Sequence, residues 1–281
     1  MQGEARVGII VLNWNGLEDT RACLQSLLGL NGPHPRIYVV DNGSSDGSAD
    51  ALTREYGERI ILIANSQNLL YAGGNNVGME RALKDGCTHV LLLNNDTVVD
   101  PAMLGELMKA SAEWGDAILC PKIYYARDAE RLWYAGGTFT IKRARAAHRG
   151  IREVDTGQYD RIEETDWATG CALFAPRRVF ETVGLLDESF QLYSEDLDYC
   201  LRAKEAGFKV VYVPTAKLWH KVSAAIGGNL SRRKIVRKWN SLRRLLRKHV
   251  PDPVARYRAL CDFAITETFR VAWAGVRGKL H

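Results

Sequence analysis

Val90-Leu91-Leu92-Leu93-Asn94-Asn95-Asp96-Thr97-Val98-Val99-Asp100 is the stretch that decides the fold class: an apolar run that stops at a polar tip whose first carboxylate is Asp96. An unbroken apolar run followed by Pro101 and a helical stretch fits a strand covered on both faces in a parallel sheet. In open α/β sheets ligands sit beyond the carboxyl ends of such strands, so Asp96 stands where a core strand would deliver a metal ligand. Asn and Asp are also common turn formers, and a plain strand-to-turn junction accounts for the same letters.

The pattern repeats upstream. Strand-like runs at 7–12, 36–40, 60–63 and 90–93 alternate with helical stretches near 17–28, 47–55, 73–84 and 101–112. That alternation predicts βαβ units and a parallel sheet. Right-handed crossovers put the strand ends on one edge. Three polar clusters then meet there: Asn13-Trp14-Asn15-Gly16, Asp41 through Gly47, and Asn94-Asn95-Asp96.

Further along the pattern loosens. Residues 117–141 read as strands broken by turns, and the charged, apolar-poor stretch 142–164 reads as a mobile loop. Order resumes with a strand at 167–175, a helix opened by Pro176, a loop from Phe190 into a helix ending near Ala206, and a strand at 209–213. The chain has 281 residues, enough for a full core, and 46% hydrophobic with 25% charged residues is the balance of a globular protein. The start leads from Met1–Arg6 straight into the first strand, too short for a membrane span and without a cleavage pattern, which predicts a cytosolic location. Six cysteines without a C-x-x-C pair predict reduced core thiols rather than zinc ligands or disulfides.

The net charge of +5 is unevenly spread. From Ser231 to His281 there are 14 Lys and Arg against 3 acids, so this tail carries +11. Ile235, Trp239, Leu242 and Leu246 recur at helical spacing among those charges, which predicts a basic amphipathic helix; a second helix follows over 254–277. Two readings fit the basic face: packing on the main body with a solvated side, or contact with an anionic membrane surface or a lipid-diphosphate acceptor. The division expected is 1–228 as the catalytic domain, with 1–115 a nucleotide-binding half and 116–228 an acceptor-binding half, and 229–281 as the basic extension. Nothing calls for a nucleic-acid partner; a homodimer is compatible with the sequence.

Four features carry chemistry. Asp41 ends a strand at a Gly/Ser-rich turn, from which its carboxylate could accept a hydrogen bond from a base or ribose, although Asx-turn chemistry also suits the segment. Tyr71-Ala72-Gly73-Gly74-Asn75-Asn76 lies at an expected helix start; its amides could face an anion, or its glycines could serve close packing. It is not a G-x-G-x-x-G fingerprint, and no G-K-[ST] is present. Glu195-Asp196 opens a helix, where acids are favoured anyway, yet two adjacent carboxylates raise one another's pKa and supply a general base. His220, before the Gly-containing segment 224–228, is a candidate on a lid that closes over substrate.

As an ordered set these segments resemble the inverting nucleotide-sugar glycosyltransferases of family 2, especially their rhamnosyltransferase-like branch. The matching stretches are Val11 to Asn15, Val39 to Gly47, Leu92 to Asp96, Thr169 to Leu173, Val183 to Glu188 and Tyr193 to Asp198, ending at His220. The resemblance implies the GT-A fold, a Rossmann-like, mostly parallel sheet flanked by helices. It implies that Asp41 contacts the nucleotide, that Asp96 and His220 hold Mg²⁺ or Mn²⁺ on the donor diphosphate, and that Asp196, with Glu195 beside it, activates the acceptor hydroxyl. Asn13, Asn15, Asn75, Asn94 and Asn95 are the further donor-binding candidates. Two departures stand out: Asn94-Asn95-Asp96 has one carboxylate fewer than the usual metal motif, and Leu70 stands where Gly is more often found. A sugar-1-phosphate nucleotidyltransferase is the alternative enzyme, but Asn13 to Asp19 lacks the positive charge its triphosphate loop needs. A non-catalytic nucleotide-sugar-binding scaffold is the other alternative, against which the retained Asp96, Asp196 and His220 argue.

Overall fold

The computed structural model describes residues 5–32, 34–140, 145–222 and 232–277. The first half follows the expected alternation. Strands β1 (Val7–Asn13), β2 (Arg36–Asp41), β3 (Ile61–Ala64) and β4 (His89–Asn94) are connected through helices α1 (Leu17–Leu28), α2 (Ser48–Tyr56) and α3 (Leu70–Lys84). All their pairings are parallel, with β1 between β2 and β4. Register aligns the strand ends: Asn13 lies beside Asp41, and Leu12 beside Asn94. The polar clusters thus share one edge because three buried apolar runs end level.

The second half adds β5 (Thr97–Val99), α4 (Met103–Trp114), β6 (Ile118–Tyr125), β7 (Asp128–Tyr134), β8 (Gly137–Thr140), β9 (Arg145–His148), β10 (Glu163–Glu164), β11 (Ala172–Pro176), α5 (Arg177–Val183), α6 (Glu195–Glu205) and β12 (Val210–His220). The main sheet has ten strands, ordered β10-β12-β6-β11-β4-β1-β2-β3 with β5 on β12 and β7 on β6. Strand β11 runs antiparallel to both β4 and β6, so the sheet is mixed, although β1 to β4, β6 and β12 all point one way. Five cysteines are buried free thiols and Cys261 is partly exposed.

Two expectations change. The charged stretch after 142 is not a loose loop where it is described: β9 pairs with β8, and Lys122 on β6, fully buried, draws in Asp155 at 2.8 Å and also Asp160. A buried ammonium needs such partners, since unpaired it would be strongly penalised. Residues 141–144 lie outside the described residues. The last strand does not stop at 213: β12 shifts register between Val213 and Lys217 and runs on to His220, opposite Thr97 of β5. His220 is therefore held in a sheet rather than on a lid, and segment 224–228 lies outside the described residues.

The Gly73-Gly74 segment is helix from Leu70 onward, and its glycines serve packing. A Cβ on Gly74 would meet Leu12 Cδ1 at 2.5 Å, and one on Gly78 would meet Ile10 Cγ2 at 2.4 Å. Leu70 itself has φ +62°, a left-handed conformation that glycine adopts freely and leucine only under strain. The left-handed region costs an L-residue about 1–2 kcal/mol, while a glycine loses roughly 0.5–1 kcal/mol more on folding. Leu70→Gly is therefore expected to be neutral or to gain up to about 1.5 kcal/mol. A clear fall in unfolding free energy, measured by urea melts, would show that the Leu70 side chain contributes packing that outweighs its strain.

The tail forms α7 (Arg232–His249) and α8 (Pro253–Arg277), which pack on each other through Leu242, Leu246, Val250 and Ala259. Leu245 of α7 joins the main core, and Ser241 Oγ donates to the Leu192 carbonyl at 2.7 Å, so α7 packs on the body of the protein. The side chains of Ile235, Phe269 and Trp273 lie outside the described residues. No helix among the described residues is long and apolar enough to cross a membrane.

Candidate active site

The level strand ends assemble a polar cradle. Asn13 Nδ2 donates to Asp41 Oδ1 at 2.7 Å, and the Ser44 amide donates to Asp41 Oδ2 at 3.1 Å. Asn15, itself left-handed at φ +50°, accepts from the Ser45 amide at 2.8 Å and donates its own amide to Ser44 Oγ. Asn13 Oδ1 accepts from Thr20, and Asn95 Nδ2 donates to the same Thr20 hydroxyl at 2.9 Å. Four of the expected residues, Asn13, Asn15, Asp41 and Asn95, thus form one network with Thr20 and Ser44, which sequence reading did not single out. Asn94 enters through its backbone, donating its amide to the Cys171 carbonyl at 2.9 Å. Asn75 is buried on α3 and spends its amide on the Tyr71 carbonyl, four residues back in its own helix.

Asn42 is a residue the sequence reading passed over. It donates to Asn68 and to the Leu70 carbonyl and accepts from Asn65 and the Leu69 amide. It thereby fixes the loop that starts α3. Its place directly after Asp41 was the available signal.

Asp96 and His220, 124 positions apart in sequence, meet at the tip of β4. His220 Nε2 lies 3.0 Å from Asp96 Oδ1, and the Lys221 amide donates to the Asp96 carbonyl. Both residues are buried. His220 Nδ1 is a buried nitrogen without a hydrogen-bond partner among the described residues, and the edge-to-face ring of Trp133, 4.5 Å between centroids, holds the imidazole. The same indole contacts His148, whose pKa burial lowers to about 4.

Does this pair suit a divalent cation? Adjacent ligands on an octahedral Mg²⁺, each at 2.0–2.1 Å, are about 2.9 Å apart, and the observed Asp96–His220 separation is 3.0 Å. Among the described residues no group of three or more His, Cys, Asp and Glu side chains is placed so that it could hold a metal ion. A two-ligand set suits a cation whose other positions are filled by phosphate oxygens and water. The residues present fit that group.

Glu195 and Asp196 begin α6 after two consecutive left-handed residues, Tyr193 at φ +71° and Ser194 at +70°. Such outliers persist only where surrounding structure enforces them. Asp196 Oδ2 accepts from the Gly170 amide at 2.9 Å and Oδ1 from the Leu197 amide at 2.8 Å. Burial raises the Asp196 pKa while those amides pull it back. Glu195 has only its own backbone amide to favour its anion: burial, and then the Asp196 charge, push its pKa up to about 8, and its Oε2 is buried without a partner among the described residues.

The 169–171 turn joins the two halves of the site. Gly170 holds Asp196, and Cys171 holds Asn94, two residues before Asp96. Burial pushes the Cys171 thiol up, and the charges of Asp96 and Asp196 push it further, as expected of a group flanked by both. Asp96, His220 and Asp196 therefore gather around one turn.

The family model described as Glycosyl transferase family 2 matches residues 8–183. The chain is 28% identical, over 68% of its length and 68% of the relative's, to an N-acetylglucosaminyl-diphospho-decaprenol L-rhamnosyltransferase of Mycobacterium tuberculosis. It is 26% identical to the dTDP-rhamnosyl transferase RfbF of Shigella flexneri, over 76% of this chain and 72% of that one. Some relatives are longer: an uncharacterized protein of Sinorhizobium fredii is 29% identical over 81% of this chain, which spans only 26% of that protein's length. Among solved structures, the mannosyltransferase PcManGT from Pyrobaculum calidifontis, in complex with GDP-Man and Mn²⁺, superposes with a TM-score of 0.63 at 16% identity, covering 98% of this chain and 76% of that one. GalNAc-T7 with UDP, GalNAc and Mn²⁺ gives 0.63 at 13% identity over 78% of this chain and 44% of that one, and both likenesses establish the GT-A fold. With the matched region covering more than half of its length, this chain belongs to glycosyltransferase family 2.

Proposed function

We propose that the protein is a metal-dependent inverting glycosyltransferase. It would move a sugar from a dTDP- or UDP-linked donor, with dTDP-rhamnose the foremost candidate, to a hydroxyl of a glycan or lipid-linked acceptor in cell-envelope polysaccharide synthesis. The observation that carries this reading is the meeting of Asp96, His220 and Asp196 around the Gly170-Cys171 turn. The rhamnosyltransferases among its relatives support the donor assignment.

In this reading residues 1–115 hold the nucleotide, 116–228 face the acceptor, and 229–281 are an extension that keeps the enzyme at the cytoplasmic face of an anionic membrane. Asp41, fixed by Asn13 and Ser44, presents a carboxylate to the base or ribose. Asp96 and His220 would hold Mg²⁺ or Mn²⁺, which when bound neutralises charge on the departing nucleoside diphosphate. Asp196 takes the acceptor hydroxyl proton as that oxygen attacks the anomeric carbon, and a single displacement inverts the configuration. Its two amide donors keep the carboxylate aimed.

The test is incubation with dTDP-rhamnose, UDP-sugars and GDP-sugars, with and without Mn²⁺, following the phosphorus-containing product. Nucleoside diphosphate release that needs Mn²⁺ and is abolished by EDTA is expected. Asp96→Ala is expected to lose at least about a hundredfold, the scale on which disturbing a metal's protein shell acts, while its circular dichroism stays native. Release of pyrophosphate would instead indicate nucleotidyl transfer, and near-normal turnover of Asp96→Ala would refute the metal assignment.

A further inference from the structure

Between segment 187–191 and helix α7 lies an open cleft of about 520 Å³, lined on the helix side by Arg237, Arg243, Arg244 and Arg247. Its remaining cation, Lys248, is already engaged: its ammonium lies 2.8 Å from Asp187 and 2.9 Å from Asp198. Burial opposes the Asp187 charge, but Lys248 outweighs it and holds that carboxyl at about 2. Among the described residues no carboxylate pairs with the four arginines. The cleft is therefore left strongly positive, and like charges gathered on one concave surface repel until an anion joins them.

A solvated amphipathic face would account for arginines on α7 that point outward. It does not account for four that line a concavity whose opposite wall is a separate segment fastened to the helix by Ser241 and Lys248. Planar guanidinium forks match phosphate oxygens two at a time, so the natural occupant is a phosphate or diphosphate group. Its position names the source. Ser241 grips Leu192, and the wall, ending at Gln191, leads within five residues to Glu195 and Asp196. The lining contains the start of the segment that runs into the base, and neither Asp96 nor His220 is part of it.

We propose that this arginine cleft binds the diphosphate of a lipid-linked acceptor and so sets the acceptor sugar's hydroxyl against Asp196. The inference rests on the transferase reading above but is tested apart from it. Mn²⁺ is omitted and EDTA added, so that the donor site does not compete for diphosphates.

Titration calorimetry of the full chain with inorganic pyrophosphate, and with a short-chain prenyl diphosphate in neutral detergent micelles, is expected to show salt-sensitive binding. Arg244→Ala/Arg247→Ala is expected to weaken it about a hundredfold, roughly tenfold for each charge-assisted bond lost. Both arginines are exposed and form no ion pair among the described residues, so the double variant is expected to melt like the parent; Arg237→Ala provides a second, independent variant. Equal binding by parent and variants, or no binding by the parent, overturns the proposal. So does arginine-dependent binding to phosphatidylglycerol vesicles without binding to the prenyl diphosphate, which would make the cleft a membrane headgroup site. Nucleotide binding with Mn²⁺ is measured in parallel: its absence would count against the transferase reading and leave the cleft result standing.

Discussion

Asp196→Asn is expected to lower kcat/KM for sugar transfer at least about a thousandfold, within the 10²–10⁴ range for a positioned general base, whereas Glu195→Gln retains transfer within a few-fold at pH 7. The two carboxylates are neighbours, yet their surroundings separate them. Asp196 accepts amide hydrogen bonds from Gly170 and Leu197 that favour its anion, whereas Glu195 has only its own amide and a buried Oε2 without a partner among the described residues. The first proton therefore leaves Asp196. Burial and the resulting Asp196 charge keep Glu195 protonated to about pH 8. A neutral Glu195 is closely mimicked by glutamine, which is why that substitution spares the neutral-pH rate. Equal loss in the two variants, measured by steady-state transfer between pH 5.5 and 9, would overturn the assignment of Asp196 as the base.

The same pair predicts a stability slope of known sign. The Glu195 pKa stands at about 8 in the folded chain against an ordinary 4.5, so between those values the native state binds more protons than the unfolded one. Stability then falls as pH rises through that window, by up to about 1.4 kcal/mol per unit for one group, and levels off above it. Glu195→Gln is expected to remove the Glu195 share of this slope, leaving the fall above pH 6.5 that His249 contributes. Urea melts of both proteins at pH 5, 6.5 and 8 check it.

How much of this was legible in the sequence depends on the distance over which each residue finds its partner. The runs at 7–12, 36–40, 60–63 and 90–93 became β1 to β4 with nearly the same bounds; β1, β2 and β4, buried on both faces, must be apolar throughout, while β3 is a half-buried edge strand. Their polar ends fell level because the crossovers are regular. Strand β11 was visible as a strand but not as an antiparallel insert between β4 and β6, since periodicity carries no partner. Stretch 142–164 read as a loose loop because its charges look solvated. Its anchor, the buried Lys122, lies in another strand 33 residues before Asp155. His220 read as a lid residue because the Gly-containing segment 224–228 follows it; the register shift between Val213 and Lys217 that carries β12 on to it is a tertiary accommodation. The carboxylate dyad was legible as two adjacent acids at a helix start. Which of them would keep its proton was not, because that depends on the Gly170 amide, 26 positions away.

Asp198→Ala is expected to be the most damaging single change to stability, costing about 3–5 kcal/mol as one member of a buried ion cluster is removed. Its carboxylate is fully buried on α6 and contacts Arg202 at 2.9 Å, Lys248 at 2.9 Å and His249 at 2.8 Å. Burial opposes its charge, and those three cations outweigh burial and lower its pKa. His249 has Asp198 at Nε2 and Glu205 at Nδ1, so both ring nitrogens face carboxylates; despite burial its pKa is raised. With Asp187 and Glu205 the cluster holds three carboxylates against three cations, spanning α6 and α7. Removing Asp198 leaves the cations facing one another across that joint and frees α7 from the helix that carries Asp196. Faster hydrogen exchange in both helices is therefore expected together with the lower midpoint. The pH dependence has two sides. The Asp198 contribution is present above the ordinary carboxylate value and is lost as pH falls through its lowered folded value. The His249 contribution is fully present below the ordinary value of 6.5 and is lost as pH rises through its raised folded value. His249→Gln should abolish only the alkaline limb, and a variant that loses stability equally at pH 5 and pH 9 would show that the imidazole contributes packing rather than charge.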